Sequence, residues 1–136
     1  MKKVFLMLMA AATIATIGCK KYPDGPVMSL SSKKGRVANT WKFEKVFEVA
    51  SGAEYTPYYS DQYIEFKKEG TYIWTYGLSS YVGTWVFASD NADIVLTRNG
   101  KSTSDAYHIR KLKGKEFWFR DDVSPGFSVE FHLAPR

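Results

Sequence analysis

Few side chains in this chain could carry out chemistry, and their spacing says of what kind. Cys19 is the single cysteine among 136 residues. A lone thiol excludes an internal disulfide framework and any metal site built from several cysteines, which leaves modification of that one sulfur. The two histidines are His108 and His132. His108 falls opposite Tyr107 and Ile109, and His132 lies beside Glu130 on the polar side of Phe127, Val129, Phe131 and Leu133. Successive side chains of a strand point to opposite faces, so both rings are predicted to face outward. With no third partner in register, a surface role fits each better than catalysis or metal binding. Asp121-Asp122 precede a Ser-Pro-Gly turn and could hold a cation or a polar ligand group, or simply solvate the turn. No phosphate-cradling glycine loop, nucleophile elbow or metal-ligating helix pair occurs. An enzyme is therefore not expected, and neither is a cofactor or a metal.

What positions Cys19 is the leader before it, residues 1–18. Lys2 and Lys3 begin it, and residues 4–17 are apolar or small without charge, the pattern of a secretory signal. The run is shorter than the roughly 20 apolar residues that span a bilayer. Thr16-Ile17-Gly18-Cys19 resembles a bacterial lipobox. That resemblance implies transfer of a diacylglyceryl group to the Cys19 thiol, cleavage before Cys19 and acylation of the new amine, by palmitate or a similar chain. The competing reading is an ordinary signal peptide cut near Gly18. More than one buried acyl chain gives stable anchoring, so the membrane becomes the first partner. Lys20 stands where an aspartate would suggest inner-membrane retention in Gram-negative bacteria. The expected address is therefore the cell envelope, on the outer membrane, at its periplasmic or its surface face.

Residues 19–38 read as a tether, with Pro23, Gly25 and Pro26 blocking regular structure. Val27, Met28 and Leu30 are apolar enough to dock in part. Lys33, Lys34 and Arg36 could sit near anionic headgroups or form a solvated turn. The whole chain carries a net charge of +5, part of it in Lys2 and Lys3 of the leader. So small an excess, with no concentrated basic stripe, does not point to nucleic acid.

Residues 39–136 alternate throughout and form one all-β domain. Eight strands are predicted, over 40–49, 62–67, 71–76, 81–88, 93–98, 105–111, 115–120 and 127–133. On the first, Trp41, Phe43, Phe47 and Val49 share a side. The connections are short and sequential, and Asn99-Gly100 suits a hairpin turn with positive φ at both central residues. Eight antiparallel strands in sequence fit an up-and-down barrel, with a flattened sandwich as the alternative. Aromatics make up 16% of the chain, and each buries about 150–250 Å². The longer connections all fall at one end, which makes that end an open mouth. The other end is tightly turned and could be plugged by the segment before Trp41. Tyr55, Pro57, Tyr58 and Tyr59 lie in the longest connection and could form a lid, or pack beneath the loop to hold it.

The barrel resembles the lipocalin-like domain of bacterial lipoproteins. The stretches that carry the likeness are Asn39-Thr40-Trp41-Lys42-Phe43, Ile64–Tyr72, Gly83-Thr84-Trp85-Val86-Phe87, Tyr107–Leu112 and Phe117-Trp118-Phe119. Asn39 stands at the glycine of the family's Gly-x-Trp, and asparagine tolerates positive φ better than most residues. The likeness implies a barrel that holds a small, apolar ligand. Phe47, Tyr58, Ile64, Tyr76, Tyr81, Tyr107, Phe119 and Phe127 would line it near the mouth. Trp41, Phe43, Phe66, Tyr72, Trp85 and Phe87 would form the floor. The alternative is a filled barrel acting as a non-enzymatic interaction module, engaging an envelope protein or glycan through its outer face. A void at the mouth favours the first reading and a packed interior the second.

Overall fold

The computed structural model describes Ser32–Arg136. The leader, Cys19 and the first part of the tether lie outside the described residues. One short helix, α1 (Lys33–Val37), precedes eight strands: β1 (Asn39–Glu48), β2 (Gln62–Phe66), β3 (Thr71–Tyr76), β4 (Ser79–Ala88), β5 (Asp93–Arg98), β6 (Asp105–Lys113), β7 (Glu116–Ser124) and β8 (Phe127–Pro135). Each strand pairs antiparallel with the next, and β1 pairs with β8. The sheet therefore closes into an up-and-down barrel, as the alternation and the short sequential connections predicted.

Interior positions are filled. Trp41, Trp85, Phe117 and Phe119 are among the largest fully buried side chains. Phe66 meets Phe117 at 5.8 Å and Trp85 at 5.9 Å between ring centroids, and Trp41 meets Phe117 at 5.7 Å, all edge-on. Such spacings fall in the favourable range for aromatic pairs. Beneath them α1 seals the end at which β1 begins. Ser32 caps the helix by accepting from Gly35 N at 3.0 Å. Val37 is fully buried, and Trp41 Nε1 donates to Val37 O at 2.8 Å. Arg36 donates to Leu112 O at 3.1 Å. The end of the expected tether is thus a helical plug, and Lys33, Lys34 and Arg36 stand on that helix rather than in a turn.

Register departs from simple alternation at three bulges. Between Phe43 and Lys45 the β1–β8 register shifts, leaving Glu44 as the extra residue, and an inserted residue exchanges the two faces beyond it. Val46 and Glu48 consequently turn inward and are buried, while Val49 is exposed. Phe47 turns outward, where its ring meets His132 at 5.3 Å. The expectation that Phe47 and Val49 share the face of Trp41 fails for this reason. A second shift, between Ile109 and Lys111, brings Leu112 into the core. A third, between Asp122 and Ser124, accompanies the extension of β7 past its predicted end. Asp121 and Asp122 are therefore strand residues paired with Val129 and Ser128, not part of a loop.

Gly83 shapes the wall at β4. A Cβ built on it would lie 2.3 Å from Thr97 O and 2.5 Å from Tyr72 Cε1. Only a residue without a side chain lets the Tyr72 ring cross the strand here.

Candidate functional site

The mouth of the barrel is divided in two. β1 pairs with β2 only over Asn39–Lys42, because β2 is short, so a gap opens between them towards the mouth. Residues 49–61 fold down into that gap. Tyr55 N donates to Val46 O at 2.7 Å, Glu48 N to Ala53 O at 2.8 Å and Val46 N to Thr56 Oγ1 at 2.9 Å. The Glu48 carboxylate accepts from Ala50 N at 2.9 Å and from Ser51 N and Oγ. The Ser51 hydroxyl bond, followed by the backbone amides, holds its pKa below the usual range. A 3₁₀ turn over Thr56–Tyr59 then places the Tyr59 ring 4.9 Å from Phe43 and 5.6 Å from Phe131. Tyr55 and Tyr59 pack against the core, whereas Tyr58 is 75% exposed. The loop therefore fills half of the mouth through Tyr59, and Tyr58 points away.

The other half stays open as a cleft of about 300 Å³. β3 supplies Tyr72 and Trp74, β4 Tyr81, β5 Leu96 and Arg98, the β5–β6 connection Lys101 and Thr103, and β6 Asp105 and Tyr107. Four of these nine residues are aromatic, and the surface they leave open is mainly polar. Trp74 stacks on Tyr81 at 5.9 Å and is fixed by donating Nε1 to Gln62 Oε1 at 2.9 Å. Tyr72 meets Tyr81 edge-on at 6.3 Å, and Tyr107 rests on Phe119 at 5.0 Å. The Arg98 guanidinium lies 4.4 Å from the centre of the Tyr81 ring, within cation–π range.

Burial sets the protonation of the phenols. It raises Tyr81 to about 12, with Tyr72 and Asp105 adding to the rise and Arg98 opposing it. Tyr72 and Tyr107 are raised for the same first reason, with Asp105 second. All three hydroxyls stay neutral at physiological pH and can donate or accept. Asp121 is also raised, by burial and then by the charges of Asp105 and Asp122. The cleft thus combines ring faces, neutral hydroxyls, two cations and one carboxylate. That set suits non-covalent capture of a small molecule with an apolar face and polar groups; no Ser, Cys or His lines it.

Of the residues predicted to line a ligand site, Tyr81 and Tyr107 meet in this cleft. Tyr76 stands on its rim, 42% exposed and 5.9 Å from Tyr81. Ile64 is fully buried, and Phe119 lies beneath Tyr107. Phe127 is 37% exposed at the β7–β8 tip, and Phe47 faces out. Among the expected floor residues, Trp41, Phe66 and Trp85 are buried as a lower layer, and Phe87 packs partly buried on Trp85 at 5.5 Å. Phe43 lies higher, beneath Tyr59. Tyr72 belongs to the cleft wall. Trp74, Leu96, Arg98, Lys101, Thr103 and Asp105 were not anticipated. Alternation carries the signal for four of them: Trp74 follows Tyr72, Leu96 leads inward to Arg98, and Asp105 precedes Tyr107.

Both histidines face outward, but neither is isolated. His108 Nδ1 bonds Asp93 Oδ1, and its Nε2 lies 3.2 Å from Asp122 Oδ2. Burial alone would raise Asp93; hydrogen bonds from Ser89 and His108 outweigh it and hold the pKa below the usual value. His132 stacks on Trp118 at 3.7 Å and bonds Glu130 at 2.8 Å. The Lys111 ammonium lies 3.8 Å from the Trp118 ring centre. Arg120 holds Glu130 from the other side at 2.6 and 3.1 Å. Among the described residues no cluster of His, Asp or Glu is arranged to hold a metal ion. Compared with known protein families and with curated proteins, the chain matches no family model and no curated sequence.

Proposed function

We propose that this chain is an envelope lipoprotein, tethered through acylated Cys19, whose lipocalin-like barrel captures a small ligand in the cleft between β3 and β6. The observation that carries the reading is the cleft itself: an opening of about 300 Å³ walled by Tyr72, Trp74, Tyr81 and Tyr107. Ligand sites are concave, largely ring-lined and fitted with a few polar groups. Its volume is at the lower end of the usual range, about 300–1,000 Å³, so the occupant is small. Because the lower barrel is packed, it binds at the mouth and not along the axis. The apolar face of the ligand lies on Trp74 and Tyr81, and its polar groups reach Arg98, Lys101 and Asp105. No acid–base or nucleophilic step is assigned.

The reading is tested by native mass spectrometry of Ser32–Arg136 after exposure to an envelope extract, followed by fluorescence titration of the captured compound. Binding should be retained by Phe127→Ala and weakened about tenfold or more by Arg98→Ala or Trp74→Leu. An apo mass only, or equal binding by all variants, would refute it. A second reading, an interaction module for an envelope protein or glycan, is favoured by one observation. Leu78, Tyr58, Val123 and Phe127 stand exposed on the connections and strand ends around the same mouth, and exposed apolar groups in company mark contact surfaces.

A further inference from the structure

The sealed end of the barrel carries a charge opposite to that of the mouth. Four features meet at this end: α1 and the β2–β3, β4–β5 and β6–β7 turns. Lys33, Lys34 and Arg36 come from α1, Lys67 and Lys68 from the β2–β3 turn, and Lys113 and Lys115 from the β6–β7 turn. Against them stand Glu69, Asp90, Asp93 and Glu116; Asp93 is engaged by His108, and Glu116 by Lys111 at 3.1 Å and Lys113 at 3.9 Å. At the mouth the balance reverses: Glu54, Asp61, Asp105, Asp121 and Asp122 stand against Arg98 and Lys101, with Lys42 and Arg136 lining a hollow beside Asp61. The molecule is a barrel with one basic and one acidic end.

We infer that the sealed end docks on an anionic phospholipid surface and holds the cleft pointed away from it. The chain preceding Ser32, which includes Cys19 and the apolar leader, joins the barrel at this basic end. Lysines that come from three separate elements but share one end can approach a flat bilayer together. Each one brought within a Debye length, about 8 Å at physiological salt, strengthens surface association about fivefold. The acidic mouth is repelled by the same surface, so charge selects one orientation. This orientation adds to the proposed tether without depending on the ligand in the cleft.

The test uses the full chain with vesicles of phosphatidylcholine alone and of an equimolar mixture with phosphatidylglycerol. Lysines are labelled with a water-soluble amine-reactive ester, and each site is read by mass spectrometry. On the mixed vesicles labelling of Lys67, Lys68, Lys113 and Lys115 should fall about fivefold or more, while Lys101 at the mouth keeps its reactivity. Raising the salt to about 1 M, where the Debye length is about 3 Å, should restore labelling. Lys67→Glu with Lys68→Glu should return labelling at Lys113. Protection of Lys101 equal to that of the sealed end, protection that ignores lipid charge or salt, or no protection at all would overturn the inference. So would equal protection by a single-stranded RNA in place of vesicles. Anchoring through acylated Cys19 is read separately, as flotation with neutral vesicles.

Discussion

Replacing Gly83 by alanine probes the cleft wall most directly. The added Cβ would meet Thr97 O at 2.3 Å and Tyr72 Cε1 at 2.5 Å. The tyrosine ring can swing, but the carbonyl belongs to the β4–β5 ladder and cannot. Overpacking a tight site costs about 1–3 kcal/mol, and a backbone partner places this case near about 3 kcal/mol. Alanine also removes freedom from the unfolded chain, which returns about 0.4–1 kcal/mol. The net loss expected is about 2 kcal/mol, or roughly 10 °C in melting temperature for a domain of this size. Urea unfolding followed by tryptophan fluorescence should show a lower midpoint at unchanged slope. The displaced Tyr72 ring should narrow the cleft and weaken whatever it holds. Gly114→Ala is the control, because nothing lies within 4 Å of its built Cβ; it should be neutral or slightly stabilising. A Gly83→Ala protein within about 0.5 kcal/mol of wild type would refute the account of the wall.

Further outcomes follow from the charged network, the phenols and the anchor. Glu130→Gln should cost about 2 kcal/mol at neutral pH, because Arg120 and His132 lose a buried charged acceptor. Burial would raise Glu130, but His132 and Arg120 bring it from 4.5 to about 2. Its contribution is therefore present above pH 4.5 and lost as pH falls towards 2; acid unfolding of the variant should be flatter over that window, as read by circular dichroism. The tyrosine titration followed by ultraviolet absorbance should lag in the folded protein, since Tyr81 ionises near 12 and Tyr72 and Tyr107 are also raised. For these groups stability is intact below pH 10 and drains away as pH climbs; all tyrosines ionising together near pH 10 without unfolding would contradict the buried cluster. Cys19→Ala should release the protein from membrane fractions, and continued retention would overturn the acyl anchor.

The barrel was legible because alternation and turn residues act locally. Trp41, Phe66, Tyr72, Trp85, Phe117 and Leu133 each declare an inward face within a few residues. The half of the site built from Tyr81 and Tyr107 was legible for the same reason. What escaped notice depends on partners far along the chain. The bulge that turns Phe47 outward is set by how β1 pairs with β8, not by any residue near Phe47. The choice of Tyr59 over Tyr58 depends on the gap left by the short β2. Arg98 and Asp105 drew no functional reading, because nothing nearby in the sequence reveals that a ring wall stands opposite them. The helix at Lys33–Val37 was hidden because five residues have little helical signal of their own, and it is held by Val37 and Trp41.

The closing of β1 on β8, together with the loop laid along the free stretch of β1, bears on how a second protein could recognise this barrel. An open sheet offers a row of backbone donors and acceptors that a foreign strand can extend. Here the one stretch where β1 leaves β2 already has its amides and carbonyls engaged by Tyr55, Thr56 and Ala53. Among the described residues, this stretch therefore offers a partner side chains rather than a free strand edge to extend.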